Sequence, residues 1–487
     1  MNLTIPVFQL SSIGPWLTLT VTAILILVLD ALSPKGGKKA CFSWLALVGL
    51  VVAALQTIGL WGKTGTDFAG MVYLDNFSCF FYMIFLLGAA LTILISRQYL
   101  EDYGKNLGEY YALILFATMG MMLMAAGAHL IMIFLGLEVM SIAVYVLAGL
   151  FREDVRSNEA SLKYLILGSF SSAFLLFGMA MLYGAAGGTL FLSELPQRLA
   201  LETASHPLIF AGIGLLLVGF GFKVASAPFH MWTPDVYEGA PTCVTAFMAV
   251  AVKAAAFAAF ARVFFVAFGA FQVDWTMLLW VLAVATMTIG NITAIAQTNI
   301  KRMLAYSSIA HAGYLLVALV AANELGAVSL LYYLLAYTLM NLGAFGVVIL
   351  VGRKKDSYLN IYDYSGLAAQ HPVLAASMAL FMFALAGIPP TAGFVGKFYI
   401  FSAAIKAGYI WLAIIGVMNS LVSVYYYLRI TVLMYMKPAE ADLGPVSFSP
   451  AQTAVVAVTA AGVLLIGIFP GFLYNLAVNS VKIFPGL

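Results

Sequence analysis

The sequence predicts an all-α polytopic membrane protein of about 14 transmembrane helices, and three observations carry that expectation. Of its 487 residues 63% are hydrophobic and 9% charged, whereas soluble domains carry about 25% charged residues. Apolar runs of roughly 20 residues, the length that crosses a ~30 Å hydrocarbon core, recur along the whole chain. The few ionisable residues inside those runs sit beside prolines, the pattern of broken transmembrane helices around a polar path.

Taken in order, the spans fall at 13–32, 41–61, 75–96, 109–127, 129–150, 161–184, 206–227, 241–268, 275–297, 303–322, 325–351, 373–388 continuing through 394–407, 409–436 and 452–478. The first is read as a retained span and not a cleaved signal peptide: it lacks a basic leader and runs without a clear cleavage site towards Asp30 and the Pro34 loop. Alternate loops on one side hold Lys35, Lys38, Lys39, Arg97, Lys105, Arg152, Arg156, Lys301, Arg302, Arg353, Lys354, Lys355 and Lys437. The other side holds Lys63, Arg198, Lys406 and Lys482. This bias puts both termini outside the cytoplasm. Lys163, Lys223, Lys253, Arg262, Lys397 and Arg429 remain, within or at the ends of spans.

Composition excludes several function classes. The net charge of +3 is small and dispersed, which gives no electrostatic footprint for nucleic acid. Cys41, Cys79 and Cys243 stand alone on separate segments and offer neither a disulfide framework nor a thiolate metal site. The histidines, His129, His206, His230, His311 and His371, are equally scattered; spacing alone leaves a haem pair on facing helices open. No GxGxxG and no Walker A motif is present, so no nucleotide seat is expected.

The chain is organised around 219–253, GFGFKVASAPFHMWTPDVYEGAPTCVTAFMAVAVK, which is apolar yet holds two lysines, a histidine, an aspartate, a glutamate and three prolines. An ionisable side chain at membrane depth costs about 2.5 to 3.5 kcal/mol on insertion scales and therefore faces a bundle interior or a wet cavity. Pro228, Pro234 and Pro241 are expected to interrupt the helix. Glu138, alone in IFLGLEVMSIAVY, reads as a switchable carboxylate or a structural ion-pair partner. Lys223 and Lys253 are the strongest candidates, because neither reaches an interface easily. A Glu138–Lys223 contact at ~4 Å would couple the two by about 4 kcal/mol at an effective dielectric near 20. Lys397 follows Pro389 and Pro390, so a break and a cation are adjacent again. For Lys163 snorkelling and function are equal readings; His230 and His311 read as relays or as packing residues. Asp235 and Glu238 read as capping or interface groups, Arg262 and Arg429 as anchors near helix ends, and Tyr425, Tyr426 and Tyr427 as packing with one hydroxyl available to a water chain.

A weak repeat runs through the chain: Glu138 and Lys223 are 85 residues apart, His311 and Lys397 86 apart, on the second and fourth spans of two five-span blocks. An odd number of spans per block makes the second copy inverted. The expected division is a three-helix segment over 1–108, a first repeat over 109–268, an inverted repeat over 275–436, and a loop with the last helix over 437–487.

GFGFKVASAPFHMWTPDVYEGAPT (219–242), NIKRMLAYSSIAHAGY (299–314) and LAGIPPTAGFVGKFYIF (385–401) resemble the signature segments of the antiporter-like subunits of respiratory complex I, the bacterial NADH-quinone oxidoreductase. Lys397, where subunit M typically has glutamate, and an end after the last helix without the lateral extension of subunit L favour the subunit N branch. Cys243 departs from the proline expected after Ala-Pro-Thr. The resemblance implies fourteen helices with inverted five-helix repeats and two broken helices. It implies a proton path through Glu138, Lys163, Lys223, Lys253 and Lys397, with His230, His311, Tyr306 and Tyr426 as accessories. It further implies a multi-pass place in the bacterial inner membrane beside other membrane-arm subunits. No cofactor would be bound here, and NADH, FMN, iron–sulfur clusters and quinone would sit in other subunits. An Mrp-type cation/proton antiporter, a related energy-converting hydrogenase and a structural scaffold remain as alternatives.

Overall fold

The computed structural model describes residues 10–33, 39–201, 206–352, 356–439 and 449–484. It begins with α1 (Leu10–Leu32), α2 (Ala40–Leu60), an antiparallel hairpin of β1 (Gly65–Asp67) and β2 (Val72–Leu74), α3 (Asn76–Asp102), α4 (Gly108–Ala126), α5 (Leu130–Ala148) and α6 (Val155–Ala185). The short α7 (Leu195–Leu201) precedes α8 (His206–Val224), α9 (Trp232–Gly239) and α10 (Thr242–Phe247); a π turn at Met248–Val252 then leads into α11 (Lys253–Ala267). There follow α12 (Gln272–Ile295), α13 (Ile300–Ala321), α14 (Glu324–Gly352), α15 (Leu367–Gln370), α16 (Pro372–Ala386), α17 (Ala392–Lys406), α18 (Ile410–Met436), α19 (Pro450–Ile468) and α20 (Gly471–Val481). Thirteen described segments are long and apolar enough to cross a membrane. The expected broken span is the pair α16 and α17, each 15 residues.

Several boundaries differ from the sequence reading. The last span divides between α19 and α20, because Pro470 has no N–H to continue the ladder. Lys301 is not a loop cation: α13 begins at Ile300, and Lys301 is 1% exposed. Pro234 does not interrupt a helix, since it lies in the first turn of α9, where backbone N–H groups have no intrahelical partner. The break falls at Ala225–Met231, around Pro228, and Pro241 separates α9 from α10. Lys35, Lys38, Arg353, Lys354 and Lys355, counted as loop cations, lie outside the described residues.

The segment Thr242–Ala267 is wholly enclosed, and α13 and α14 nearly so, while α1, α2, α6, α12, α18 and α19 turn broad apolar faces outward. Side chains such as Val48, Leu55, Phe170 and Leu421 are exposed there, as lipid-facing positions require. Close helix approach rests on small residues. A methyl group on Gly120 would stand 2.7 Å from the Gly136 carbonyl oxygen, so only glycine lets α4 lie against α5. Where α12 meets α13, Gly290 sits under the Ala310 amide in the same way.

Both breaks satisfy their backbone internally. At the first, Ser226 N–H bonds the Gly221 carbonyl (2.8 Å), Ala227 N–H bonds Thr286 Oγ1 of α12 (2.9 Å), and Trp232 Nε1 bonds the Phe222 carbonyl (3.0 Å). At the second, Gly387 ends α16 at φ +88°, a left-handed cap that suits glycine.

Arg262 is not a snorkelling anchor. It is 1% exposed, and its guanidinium bonds both Asp75 oxygens (2.8 and 3.0 Å), Ser78 Oγ (2.9 Å) and the Ala125 carbonyl (2.6 Å). The pair ties α11 to the start of α3 and the end of α4. Breaking one partner of such a buried pair costs about 3–5 kcal/mol, whereas replacing both with apolar groups of similar volume is close to neutral. Asp75→Asn should therefore lower thermal stability of the detergent-solubilised protein sharply, and Asp75→Leu with Arg262→Met should restore most of it, as measured by the unfolding midpoint.

Candidate functional site

The first cluster is built on one face of α5. Glu138, Ser141 and Tyr145 are spaced three and four residues apart, so they stack along the helix. Glu138 is half-buried and accepts a hydrogen bond from Ser172 Oγ of α6. Lys223, at the end of α8, is 3% exposed; its ammonium donates to Ser141 Oγ (2.8 Å) and to the Tyr145 hydroxyl (3.2 Å). The rings of Tyr145, Tyr164 and Phe222 lie 5.4–5.8 Å from the ammonium, within cation–π range. Glu138 and Lys223 form no direct ion pair among the described residues, contrary to the contact considered from sequence. Ser141, one turn along from the carboxylate, takes the lysine's hydrogen bond instead.

Lys253 follows directly on the π turn, a helix form often found at functional positions. It is 2% exposed and donates to the Ser308 carbonyl (2.6 Å) and Oγ (2.9 Å) on α13. One turn further, His311 Nδ1 faces the Tyr333 hydroxyl (2.6 Å) and Nε2 the Tyr427 hydroxyl (3.0 Å), so either tautomer has partners. Tyr427 also bonds Ser307. Beside it the Tyr426 hydroxyl donates to Asn291 Oδ1 (2.9 Å), while Asn291 Nδ2 donates to Tyr314 (3.2 Å) and to the Asn419 carbonyl (3.1 Å).

Lys397 reaches back from α17 to the end of α16. It is 4% exposed and donates to the carbonyls of Leu385 (3.0 Å) and Ala386 (2.9 Å) and to Ser420 Oγ (2.9 Å), over the Tyr314 ring at 4.8 Å. The carbonyls left free by the break meet a cation at the negative end of the half-helix.

Lys163 stands apart from this row, in the third turn of α6. It pairs with Glu159 (2.7 Å) and Asp235 (2.7 Å); Arg302 joins Asp235 (2.9 Å) to Glu238 (2.8 Å). These side chains and Arg156 line a polar cleft of about 280 Å³ that links α6, α9 and α13. Burial pushes the Asp235 carboxyl up, but hydrogen bonds from Lys163 and Arg302 and their charges hold it below its ordinary value, so it stays ionised until the pH falls beneath the usual carboxylate range. Among the described residues His230, at the first break, has Nδ1 unbonded and bridges no lysines; Tyr306 is half-buried on α13. Arg429 does act near a helix end, on the Ile295 carbonyl (3.3 Å) and the Tyr362 hydroxyl (2.8 Å).

The sequence reading missed the neutral partners: Ser141, Tyr145, Ser172, Asn291, Ser308, Tyr314, Tyr333 and Ser420. Ser141 and Tyr145 carried a local signal in their spacing from Glu138. The others come from helices distant in sequence, where spacing gives none.

Residues 126–423 match the family described as NADH:quinone oxidoreductase/Mrp antiporter, TM. A protein of Trichlorobacter lovleyi named NADH-quinone oxidoreductase subunit N is 51% identical over 98% of this chain and 97% of its own. One of the same name from Chloroflexus aggregans is 42% identical over 100% of both. Among solved structures, a chain of respiratory complex I from Thermus thermophilus is 36% identical, with TM-score 0.81 over 95% of this chain and 99% of that one. A chain of the Mrp complex from Dietzia sp. is 21% identical with TM-score 0.84 over 98% of both, which shows a shared fold. The chain belongs to the NADH:quinone oxidoreductase/Mrp antiporter family of membrane subunits and, within it, to the subunit N group of NADH-quinone oxidoreductases.

Proposed function

We propose that this chain is a proton-translocating membrane-arm subunit of an NADH:quinone oxidoreductase, in which Glu138, Lys223, Lys253 and Lys397 carry the proton and Lys163 tunes the α9 side of the first break. The observation that carries this reading is that three enclosed lysines have only neutral hydrogen-bond partners among the described residues. An amine placed in this way gains no ion pair, so its proton answers to charge that moves nearby.

The partners differ in what they permit. At Lys223 both are hydroxyls, which accept from an ammonium or donate to a neutral amine, so both forms can be bonded. At Lys397 two of three are backbone carbonyls, which only accept. A proton entering on the Glu138 side would find its first station reversible and its last strongly holding. His311, with a hydroxyl at each nitrogen, and Tyr426 serve the stretch between Lys253 and Lys397 as accessories; His230 and Tyr306 are poorly placed for that role in this arrangement.

The reading gives NADH oxidation, FMN, iron–sulfur clusters and quinone reduction to partner subunits, and makes the chain catalytic only as part of the assembly. The inverted five-helix blocks are supported by the matching close packing of α4 on α5 and of α12 on α13, with a broken span two spans later in each. The Mrp alternative has the shared fold in its favour, while the identity of near-complete relatives favours the oxidoreductase. The cation bias supports termini outside the cytoplasm.

In inverted vesicles, Lys223→Ala should lower NADH-driven proton pumping by about tenfold or more, within what a positioned proton-transfer group supplies, with the assembled complex still present on a blot. Normal pumping would leave the lysine as a structural residue and favour the scaffold reading. Ser141→Ala should be milder, about fivefold, as loss of one hydrogen bond of about 1 kcal/mol implies. For sidedness, single cysteines placed by Lys63→Cys or Lys437→Cys, with Cys41, Cys79 and Cys243 changed to alanine, should meet an impermeant maleimide from opposite faces. Labelling of position 437 in intact cells would reverse the orientation.

A further inference from the structure

The polar atoms on α14 are not absorbed by this mechanism. Asn341 is 0% exposed, yet among the described residues neither its Oδ1 nor its Nδ2 has a well-formed hydrogen bond, and the same holds for the hydroxyl of Tyr337, 1% exposed. They are four residues apart and so share one face of α14. Ser308, the residue that holds Lys253, and Asn341 both approach the Tyr337 hydroxyl at the long limit of a hydrogen bond, and the Tyr337 ring is 5.0 Å from His311. Polar atoms enclosed together without a close partner are costly. Buried polar groups in this condition are normally met by water.

A second buried group points to the same place. Lys301 is 1% exposed, and among the described residues its ammonium has one hydrogen bond, to the Ala240 carbonyl between α9 and α10 (2.6 Å). Nearby, half-buried Asp356 accepts from Thr242 Oγ1 (2.7 Å) and the Tyr99 hydroxyl (2.9 Å) at the end of the bundle where α14 finishes. Lys301 and Ser308 are seven residues apart on α13, two turns along the same face and about 10 Å apart in rise.

We propose that Tyr337 and Asn341 line a water-holding chamber on α14 that serves Lys253 from the Lys301 and Asp356 end of the bundle, with Asn341 as a positioning residue for its water. A hydronium arriving in the chamber gives one proton to the lone pair of the neutral Lys253 amine, leaving water and an ammonium held by Ser308. This rests on Lys253 being a proton station, and the two claims separate experimentally.

The intact complex is footprinted with hydroxyl radicals generated by X-rays and read by mass spectrometry of the α13 and α14 peptides. Oxidation of Tyr337 despite its burial is expected, since radicals form from water at the site; an unlabelled Tyr337 beside a labelled Tyr306 would overturn the chamber. In inverted vesicles, Asn341→Leu should lower proton pumping by about tenfold, less than the ~100-fold that loss of a direct acid–base group can cause. Asn341→Ser, which still orders water, should restore most of it, an outcome that loss of packing alone would not produce. Should Asn341→Leu not assemble, Asn341→Ser and the footprint of the unaltered complex decide. Loss of pumping in Lys253→Ala with none in Asn341→Leu would overturn the chamber and keep the station; normal pumping in Lys253→Ala would overturn the station itself.

Discussion

The hydrocarbon core of a bilayer offers no hydrogen bonds, so every backbone group freed from a helix and every charge taken below the surface must find its partner within the protein. Nearly everything distinctive here follows from that demand. Two helices are broken, and each break exposes carbonyls and amides that need partners. At the second break the need is met by Lys397, whose own ammonium needs acceptors just as much. At the first, Trp232, Ser226 and Thr286 close the backbone, and Lys223 is left free to face α5.

The same demand separates the two kinds of buried cation. Arginine stays charged at any ordinary pH, so Arg262 is buried only with a carboxylate that matches its fork, and the result is a fixed joint between α3, α4 and α11. Lysine can shed its charge, and the four enclosed lysines, Lys223, Lys253, Lys301 and Lys397, have hydroxyls and carbonyls in place of carboxylates as hydrogen-bond partners among the described residues. Asp75 is enclosed with Arg262, while the carboxylates of the candidate site stay at the margins: Glu138 at the half-buried face of α5 and Asp235 in the cleft with Lys163 and Arg302.

The sequence made the class of fold, the order of the spans and the two breaks legible because each is a local property: hydrophobic length, a proline, a lysine where none is expected. Glu138, Lys223, Lys253 and Lys397 stood out for the same reason. Their partners did not. Ser308 comes from 55 residues beyond Lys253, Ser420 from 23 beyond Lys397, and Ser172 from 34 beyond Glu138, and serine and tyrosine are ordinary in transmembrane helices. Arg262 was misjudged because its counter-charge, Asp75, lies 187 residues away, and Lys301 because a cation at the start of a helix looks the same in sequence whether it faces water or protein.

The π turn before Lys253 carries an implication for how this helix came to hold its lysine. A helix turns about 100° per residue, and a π turn accommodates one residue more than the α ladder would. In an unbroken α-helix one residue more would swing all that follows round by about a quarter of a turn; the wider π turn takes that residue up, so the face of α11 stays in line with that of α10. The aim of Lys253 at Ser308 is thus a matter of residue count as much as of residue identity. A relative with the same count of residues but an unbroken α ladder here would present the lysine to a different neighbour, and alignment by letters alone would not show the change.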